Sequence, residues 1–285
     1  LDDALAIKRL ADQVSNVAVI GGGLLGLETA RALVAPGRRV AVIEIAPHLL
    51  PRQLDVTGAQ VLQARLEAMG LTIYTGAATR AIVADARAGD ERASGVLLTS
   101  GRTVPAELVI VSTGIRSRVE LARDAGLEVN RGIVVDERLR TSAPDVYAAG
   151  DAAEFQGLVY GIIPAAIAQA RIVAEQMAGN EAELYDGTVP STTLKIVGID
   201  LTCLGDSTAG GDEYIILRYS DQASGIYKRL ALRDNAIVGV ILMGDVSDAR
   251  WMQRLIDDKR DVSAFGSRML DGGVDLKALA QGTLP

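Results

Sequence analysis

From Asn16 to Glu44 the chain reads NVAVIGGGLLGLETARALVAPGRRVAVIE, and few architectures accommodate residues in that order. An apolar β-type run, Asn16 to Ile20, leads into Gly21, Gly23 and Gly26 at G-x-G-x-x-G spacing. A helical pattern follows from about Leu24, then a second β-type run that ends on an acid, Glu44. Strand, glycine turn, helix and strand make one βαβ unit, which commits the chain to a parallel sheet with a crossover helix.

Each glycine has a mechanical reason. Gly21 permits the tight turn off the strand, Gly23 lets the backbone approach a pyrophosphate, and Gly26 lets helix and strand pack closely. The amides at Leu24 and Leu25, at the positive end of the helix dipole, then face the phosphates. Glu44 closes the unit where a carboxylate can accept both ribose hydroxyls of an adenosine. It would repel a 2′-phosphate, and Ile45, Ala46 and Pro47 offer no cation, so the dinucleotide is read as NAD rather than NADP.

The 285 residues, 49% hydrophobic and 23% charged, are enough for two or three domains. No apolar run reaches the ~18 to 20 residues that span a bilayer, and LDDALAIKRL does not form a signal peptide, so the reading is cytoplasmic with no membrane partner. A net charge of −7 without a basic block argues against nucleic acid. The single cysteine, Cys203, excludes an internal disulfide, a C-x-x-C pair and a zinc or iron–sulfur site built from this chain, and is read as a small buried residue; no metal site is expected. The single histidine, His48, is read as a solvated loop residue.

In order, residues 1–12 predict an amphipathic lead-in helix with Leu5, Ile7 and Leu10 as contacts, and the lack of an initiator methionine suggests a start inside a longer gene product. Val56 to Met69 has helical spacing, with Gly70 as its stop, and LTIYTG reads as the next parallel strand. The runs AIVADA, SGVLLTS and ELVIVST predict a β-meander inserted into this domain. After a polar, partly helical stretch, Ile133 to Val135 and Val146 to Ala148 read as short strands, the second ending on Gly150-Asp151. A helix starting at Pro164 runs to Gly179-Asn180. From about Asp186 hairpin-type runs, with Asp234-Asn235 as a turn, predict a separate α+β domain. Its final helix is capped by Ser247 and shares Trp251, Met252, Leu255 and Ile256 on one face, and little order is expected after Leu270.

The ordered set GGGLLGLE, VSTG before a polar stretch, and TSAPDVYAAGDAAE resembles the FAD- and NAD-dependent pyridine nucleotide-disulfide oxidoreductases over nearly the whole chain. TLKIVGIDLTCLGD, GIYKRLALRD and VGVILMGDVSDARWMQRLI resemble the C-terminal domain of NADH–rubredoxin reductases and nitrite reductase large subunits. The resemblance implies an α/β fold with a Rossmann-like NAD domain bearing a meander at 13–114, the second half of an FAD domain at 115–185, and an α+β domain with a weakly ordered tail at 186–285. The first FAD half, with its own glycine fingerprint, is missing. Gly21, Gly23, Gly26 and Glu44 match the NAD fingerprint. Glu28 matches a glutamate near the nicotinamide–flavin contact, the catalytic candidate, although at i,i+3 it could equally pair with Arg31. Gly114 closes the motif bordering the NAD site, where Ser117 replaces a frequent proline. Gly150 and Asp151 match the pair that holds the FAD ribityl chain. Asp151 at a strand end can accept from a sugar-like hydroxyl or cap a helix. The helix at Pro164 would aim its positive end at the flavin pyrimidine ring.

The function so implied is a flavoprotein reductase fragment that passes hydride from NADH to FAD and electrons on to an acceptor such as rubredoxin or a nitrite reductase centre. The alternatives are an NAD-binding module without turnover, or a disulfide or peroxide reductase whose redox cysteine lies in the missing half. Cofactors are NADH and a partial FAD site. Partners are a redox protein or a fused or associated reductase domain, with a homodimer possible. Trp251 belongs either to the core or to the edge of the flavin cleft.

Overall fold

The computed structural model describes residues 2–84, 92–180, 182–196, 198–221 and 223–283. The chain divides into two compact units, Leu1–Gly114 with Ser191–Pro285, and Ile115–Pro190.

The first unit opens with α1 (Asp2–Ala11), β1 (Asn16–Ile20), α2 (Leu24–Leu33), β2 (Arg39–Ile43), α3 (Val56–Ala68) and β3 (Leu71–Tyr74). An antiparallel meander of β4 (Thr79–Ala84), β5 (Ala93–Leu98) and β6 (Thr103–Pro105) follows, and β7 (Leu108–Val111) returns beside β1. The sheet runs β3-β2-β1-β7, every pair parallel. Strands covered on both faces read as continuous apolar runs. Val17 and Val19 enter the core beneath α2 and α3, while Ala18 faces the meander with Ile43 and Val96. This places ELVIVST in the parallel sheet rather than in the meander. The third meander strand is β6, too short to show a period in the sequence; Asp85 and Ala86 of the AIVADA run lie outside the described residues. On α1, Ala11 is buried and Ile7 packs on the core, but Leu5 and Leu10 are exposed.

The second unit holds α4 (Glu120–Asp124), β8 (Ile133–Val135), β9 (Ala153–Phe155) and α5 (Ile163–Met177). β8 and β9 form a two-stranded parallel sheet, and Val135, Ala153, Phe155, Ile172 and Tyr185 make its core. The strand expected at Val146 to Ala148 is reduced to one bridge, Arg140 to Tyr147. Helix α5 begins at Ile163, with Pro164 in its first turn, one residue earlier than the sequence predicts. Ile163, Ile167 and Met177 on its outer side are 76%, 66% and 65% exposed, an uncovered apolar face on a very small sheet.

The chain then re-enters the first unit as an antiparallel sheet, β10 (Ser191–Ile196), β11 (Ile199–Gly205), β12 (Ile215–Asp221), β13 (Ile226–Arg233) and β14 (Ala236–Met243), in the order β10-β11-β14-β13-β12. The turn at Asp234-Asn235 takes φ 50° and 65°, the left-handed pair that such hairpins need. After α6 (Ala249–Asp257) the tail is not weakly ordered: Asp275 caps α7 (Leu276–Ala280), and Leu276, Leu279 and Ala280 are buried against Met252 and Leu255 of α6. Burial of that apolar triplet overrides the glycine-rich composition around it. Ser247 does not cap α6, since its hydroxyl donates to Asp245 Oδ1 at 2.6 Å. Trp251 packs half-buried at the edge of this cluster.

The change of pattern near residue 186 is present, but packing does not follow it. Leu194, Ile199, Leu201, Cys203, Tyr227, Ile241 and Met243 share one continuous core with Val17, Leu27, Val42, Leu62 and Leu66. The C-terminal sheet therefore closes over α2 and α3 instead of folding as a discrete unit. Cys203 is buried there, and burial pushes its thiol up to about 12, which removes it as a nucleophile. Among the described residues no helix is long and apolar enough to cross a membrane, and no cluster of His, Cys, Asp and Glu is suited to a metal ion.

Candidate functional site

Sterics at the glycine turn assign a separate task to each position. Gly21 has φ +116°, and a Cβ there would overlap the Ser112 carbonyl after β7. A Cβ at Gly26 would overlap the Gly21 carbonyl, so helix and turn touch through backbone alone. Gly23 differs, because a Cβ there would meet nothing within 4 Å. The space above Gly23 is open, and α2 begins beneath it with no side chain capping its first turn and no acid in that turn. Amides at Leu24 and Leu25 are thus left for an external acceptor, the arrangement that receives phosphate.

Glu44 follows β2 and is 9% exposed. Its Oε2 accepts from the Gly22 amide at 2.6 Å and its Oε1 from the Ala46 amide at 2.8 Å. One carboxylate thereby spans both sides of the turn, and each oxygen keeps a second acceptor site. Gly22 is also held from its other side: its carbonyl accepts from the Leu50 amide at 3.3 Å, and a Cβ on it would lie 2.7 Å from Leu49 Cδ2. Leu49 and Leu50 are fully buried. The sequence gives no local signal for this clasp, because Leu49 and Leu50 sit in a segment without periodicity.

Glu28 lies half-buried on α2, and Gly114 is exposed, with φ +107°, just beyond β7. In the first unit the structure therefore gathers Gly21, Gly23, Leu24, Leu25, Gly26, Glu28 and Glu44 around one turn, with Gly114 at the end of the neighbouring strand.

The second unit carries Gly150, Asp151 and Pro164. Gly150 (φ +78°) donates its amide to Gln169 Oε1 of α5 at 2.7 Å, and Ser117 Oγ donates to the Asp151 carbonyl at 2.6 Å. Two side chains thus clamp the Gly-Asp turn from opposite directions in sequence, and the Asp151 carboxylate stays exposed. A proline at 117 could not make that bond. The α5 N-terminus, with Pro164 in its first turn, has no side-chain cap.

A glycine turn under an uncapped helix, closed by an acid on a parallel sheet, defines a dinucleotide-binding α/β protein. The chain belongs to the pyridine nucleotide-disulphide oxidoreductase family, whose model matches residues 1–171, and a rubredoxin NAD+ reductase C-terminal domain is matched at 190–260. It is 40% identical over 251 residues to a nitrite reductase [NAD(P)H] of Bacillus subtilis (strain 168), covering 88% of this chain and 30% of that protein. To a rubredoxin-NAD(+) reductase of Pseudomonas putida it is 36% identical over 211 residues, covering 72% of this chain and 53% of that one. A ferredoxin reductase for the CYP199A2 system from Rhodopseudomonas palustris superposes with a TM-score of 0.84 at 28% identity, over 98% of this chain and 68% of that one. The chain spans less than two thirds of either curated relative. The family and branch are those the motifs resemble, and its members use FAD and NAD(P)H.

Proposed function

We propose that the chain is part of an NADH-dependent flavoprotein reductase in which the first unit holds the nicotinamide dinucleotide and the second contributes part of an FAD site. The observation that carries this is the open space at Gly23 above an uncapped helix, bordered by Glu44. The amides of Leu24 and Leu25 hold the pyrophosphate, and Glu44 uses its remaining acceptor sites for the adenosine ribose while its existing bonds keep the turn in shape. Glu28 stands beside the nicotinamide end. When bound, NADH supplies a hydride that FAD accepts, and the protein contributes position and electrostatics.

In the second unit Asp151 accepts from the flavin ribityl chain, and the uncapped start of α5 at Pro164 faces the flavin ring. A two-stranded parallel sheet is too small to stand alone, and the apolar outer side of α5 is uncovered, which supports reading residues 115–185 as one half of a larger FAD domain. The electron acceptor is a redox protein or reductase domain of the rubredoxin or nitrite reductase branch, in the cytoplasm.

Isothermal titration tests the nucleotide assignment. NADH should bind more tightly than NADPH, and Glu44→Ala should weaken NADH about tenfold or more, since each charge-assisted hydrogen bond contributes ~1.5 to 3 kcal/mol. Tighter NADPH binding by the unaltered chain would overturn it.

A further inference from the structure

The strap that follows Glu44 runs from Ala46 to Asp55, and its two ends are anchored in different sheets. Glu44, just before the strap, and Leu50, midway along it, hold the amide and the carbonyl of Gly22, in the middle of the glycine turn. At its end Asp55 caps α3 by accepting from the Gly58 amide at 3.0 Å. The same carboxylate accepts from the Tyr227 hydroxyl, 2.8 and 2.7 Å from its two oxygens, and from Arg218 Nε at 3.2 Å. Arg229 Nε lies 3.5 Å away as an ion pair.

Tyr227 and Arg229 are on β13 and Arg218 is on β12, so the anchor belongs wholly to the C-terminal sheet. Arg229 is 2% exposed, and its guanidinium also donates to the Ser207 and Ala209 carbonyls. Ser207 Oγ in turn donates to the Gln53 carbonyl at 2.7 Å, a second tie on the strap. A Cβ on Gly58 would come 2.9 Å from Tyr227 Cε1, so α3 is seated directly on that ring. Between the anchors the strap is short and stiff. Leu50 is held at φ +49°, and its carbonyl accepts from the Gln53 and Leu54 amides, both at 2.9 Å.

We infer that the C-terminal sheet is part of the nucleotide site: Tyr227, Arg229 and Ser207 are positioning residues that fix the strap at Asp55 and Gln53, and the strap presents Gly22 and Glu44 to the dinucleotide. The warrant is a continuous set of hydrogen bonds and closed packing in which the ties at Gly22, Gly58, Tyr227 and Gln53 are buried or half-buried, while the Arg218 contact is exposed. Loosening one end of a stiff strap transmits to the other, because close-packed interiors have no slack in which to absorb the change. This inference rests on the NADH assignment above.

The test uses the full chain. Tyr227→Phe and Asp55→Ala should weaken NADH binding about 3- to 30-fold, the range of coupling through contiguous networks. Asp55→Asn, which still caps α3 and accepts one hydrogen bond, should recover part of the loss. Met252→Ala, in the separate core beneath α6, should lower the thermal midpoint and leave NADH affinity unchanged. Hydrogen exchange supplies a readout that needs no ligand: in Tyr227→Phe, peptides covering 21–26 and 44–55 should lose protection together. Wild-type affinity in both Tyr227→Phe and Asp55→Ala, or equal weakening by Met252→Ala, would overturn the inference. Failure of the unaltered chain to bind NADH would count against the NADH assignment alone. Exchange would then decide the strap, unchanged protection at 21–26 refuting it and loss of protection there supporting it.

Discussion

Two glycines three residues apart in the fingerprint should fail in opposite ways. Gly26→Ala drives a methyl into the Gly21 carbonyl, a backbone atom that cannot yield, and overpacking of this kind costs ~1 to 3 kcal/mol. The expected result is a lowered thermal midpoint together with lost NADH binding. Gly23→Ala places its methyl in open space at φ −80°, ψ 177°, a conformation any residue adopts. Its fold and midpoint should be retained while NADH binding falls, because the methyl occupies the volume the pyrophosphate needs. Calorimetry and titration on the two variants check this, and a Gly23→Ala chain with unchanged NADH affinity would show that the open space is not the ligand's. Both glycines, with Glu44, are visible in the sequence because they are local and their spacing is fixed by backbone geometry. Asp55, which caps α3, stands directly before a helical pattern, yet nothing local marks it as an anchor. Nor is its partner Tyr227 visible, since a contact across 172 positions leaves no periodic trace.

At the scale of elements, α2, α3 and α5 could be read from their helical spacing, and the parallel strands from the continuous apolar runs that burial on both faces imposes. The elements that escaped are short ones fixed by tertiary contact. β6 has three residues and exists as the partner of β5. Helix α7 has five, and its leucines are legible only once α6 is beside them. That contact yields a prediction. A chain ending at Leu270 exposes the surface that Leu276 and Leu279 cover, and fully burying a leucine contributes ~1.5 to 3 kcal/mol. The thermal midpoint should fall by on the order of 10 °C, while NADH affinity is kept because the cluster beneath α6 excludes the strap. An unchanged midpoint in a melting experiment would show that α7 contributes little.

For the whole molecule, the organising fact is that the first unit is discontinuous in sequence: the chain leaves it after Gly114 and returns at Ser191. The β pattern change near residue 186 invites division there, and on that reading a chain ending at Tyr185 keeps its NADH site. The shared core reverses the expectation. Without Leu201, Tyr227, Ile241 and Met243, the outer surfaces of α2 and α3 lose their cover, and Asp55 loses its anchor. The shortened chain should show no cooperative melting transition and no measurable NADH binding. Full-strength NADH binding by such a chain would refute the shared core as a requirement.

The same discontinuity sets a clock on the ribosome. Between Gly114 and Met243, the last residue of β14, lie 129 further residues (243 minus 114). At ~5 to 20 residues per second their synthesis takes about 6 to 26 s. For that interval the finished nucleotide-binding segment carries an uncovered apolar surface over α2 and α3, far longer than the microseconds in which a helix or a hairpin forms. Nascent chains of this protein therefore pass through a state whose hazard is set by translation speed, and slowing translation after the Gly114 codon prolongs it.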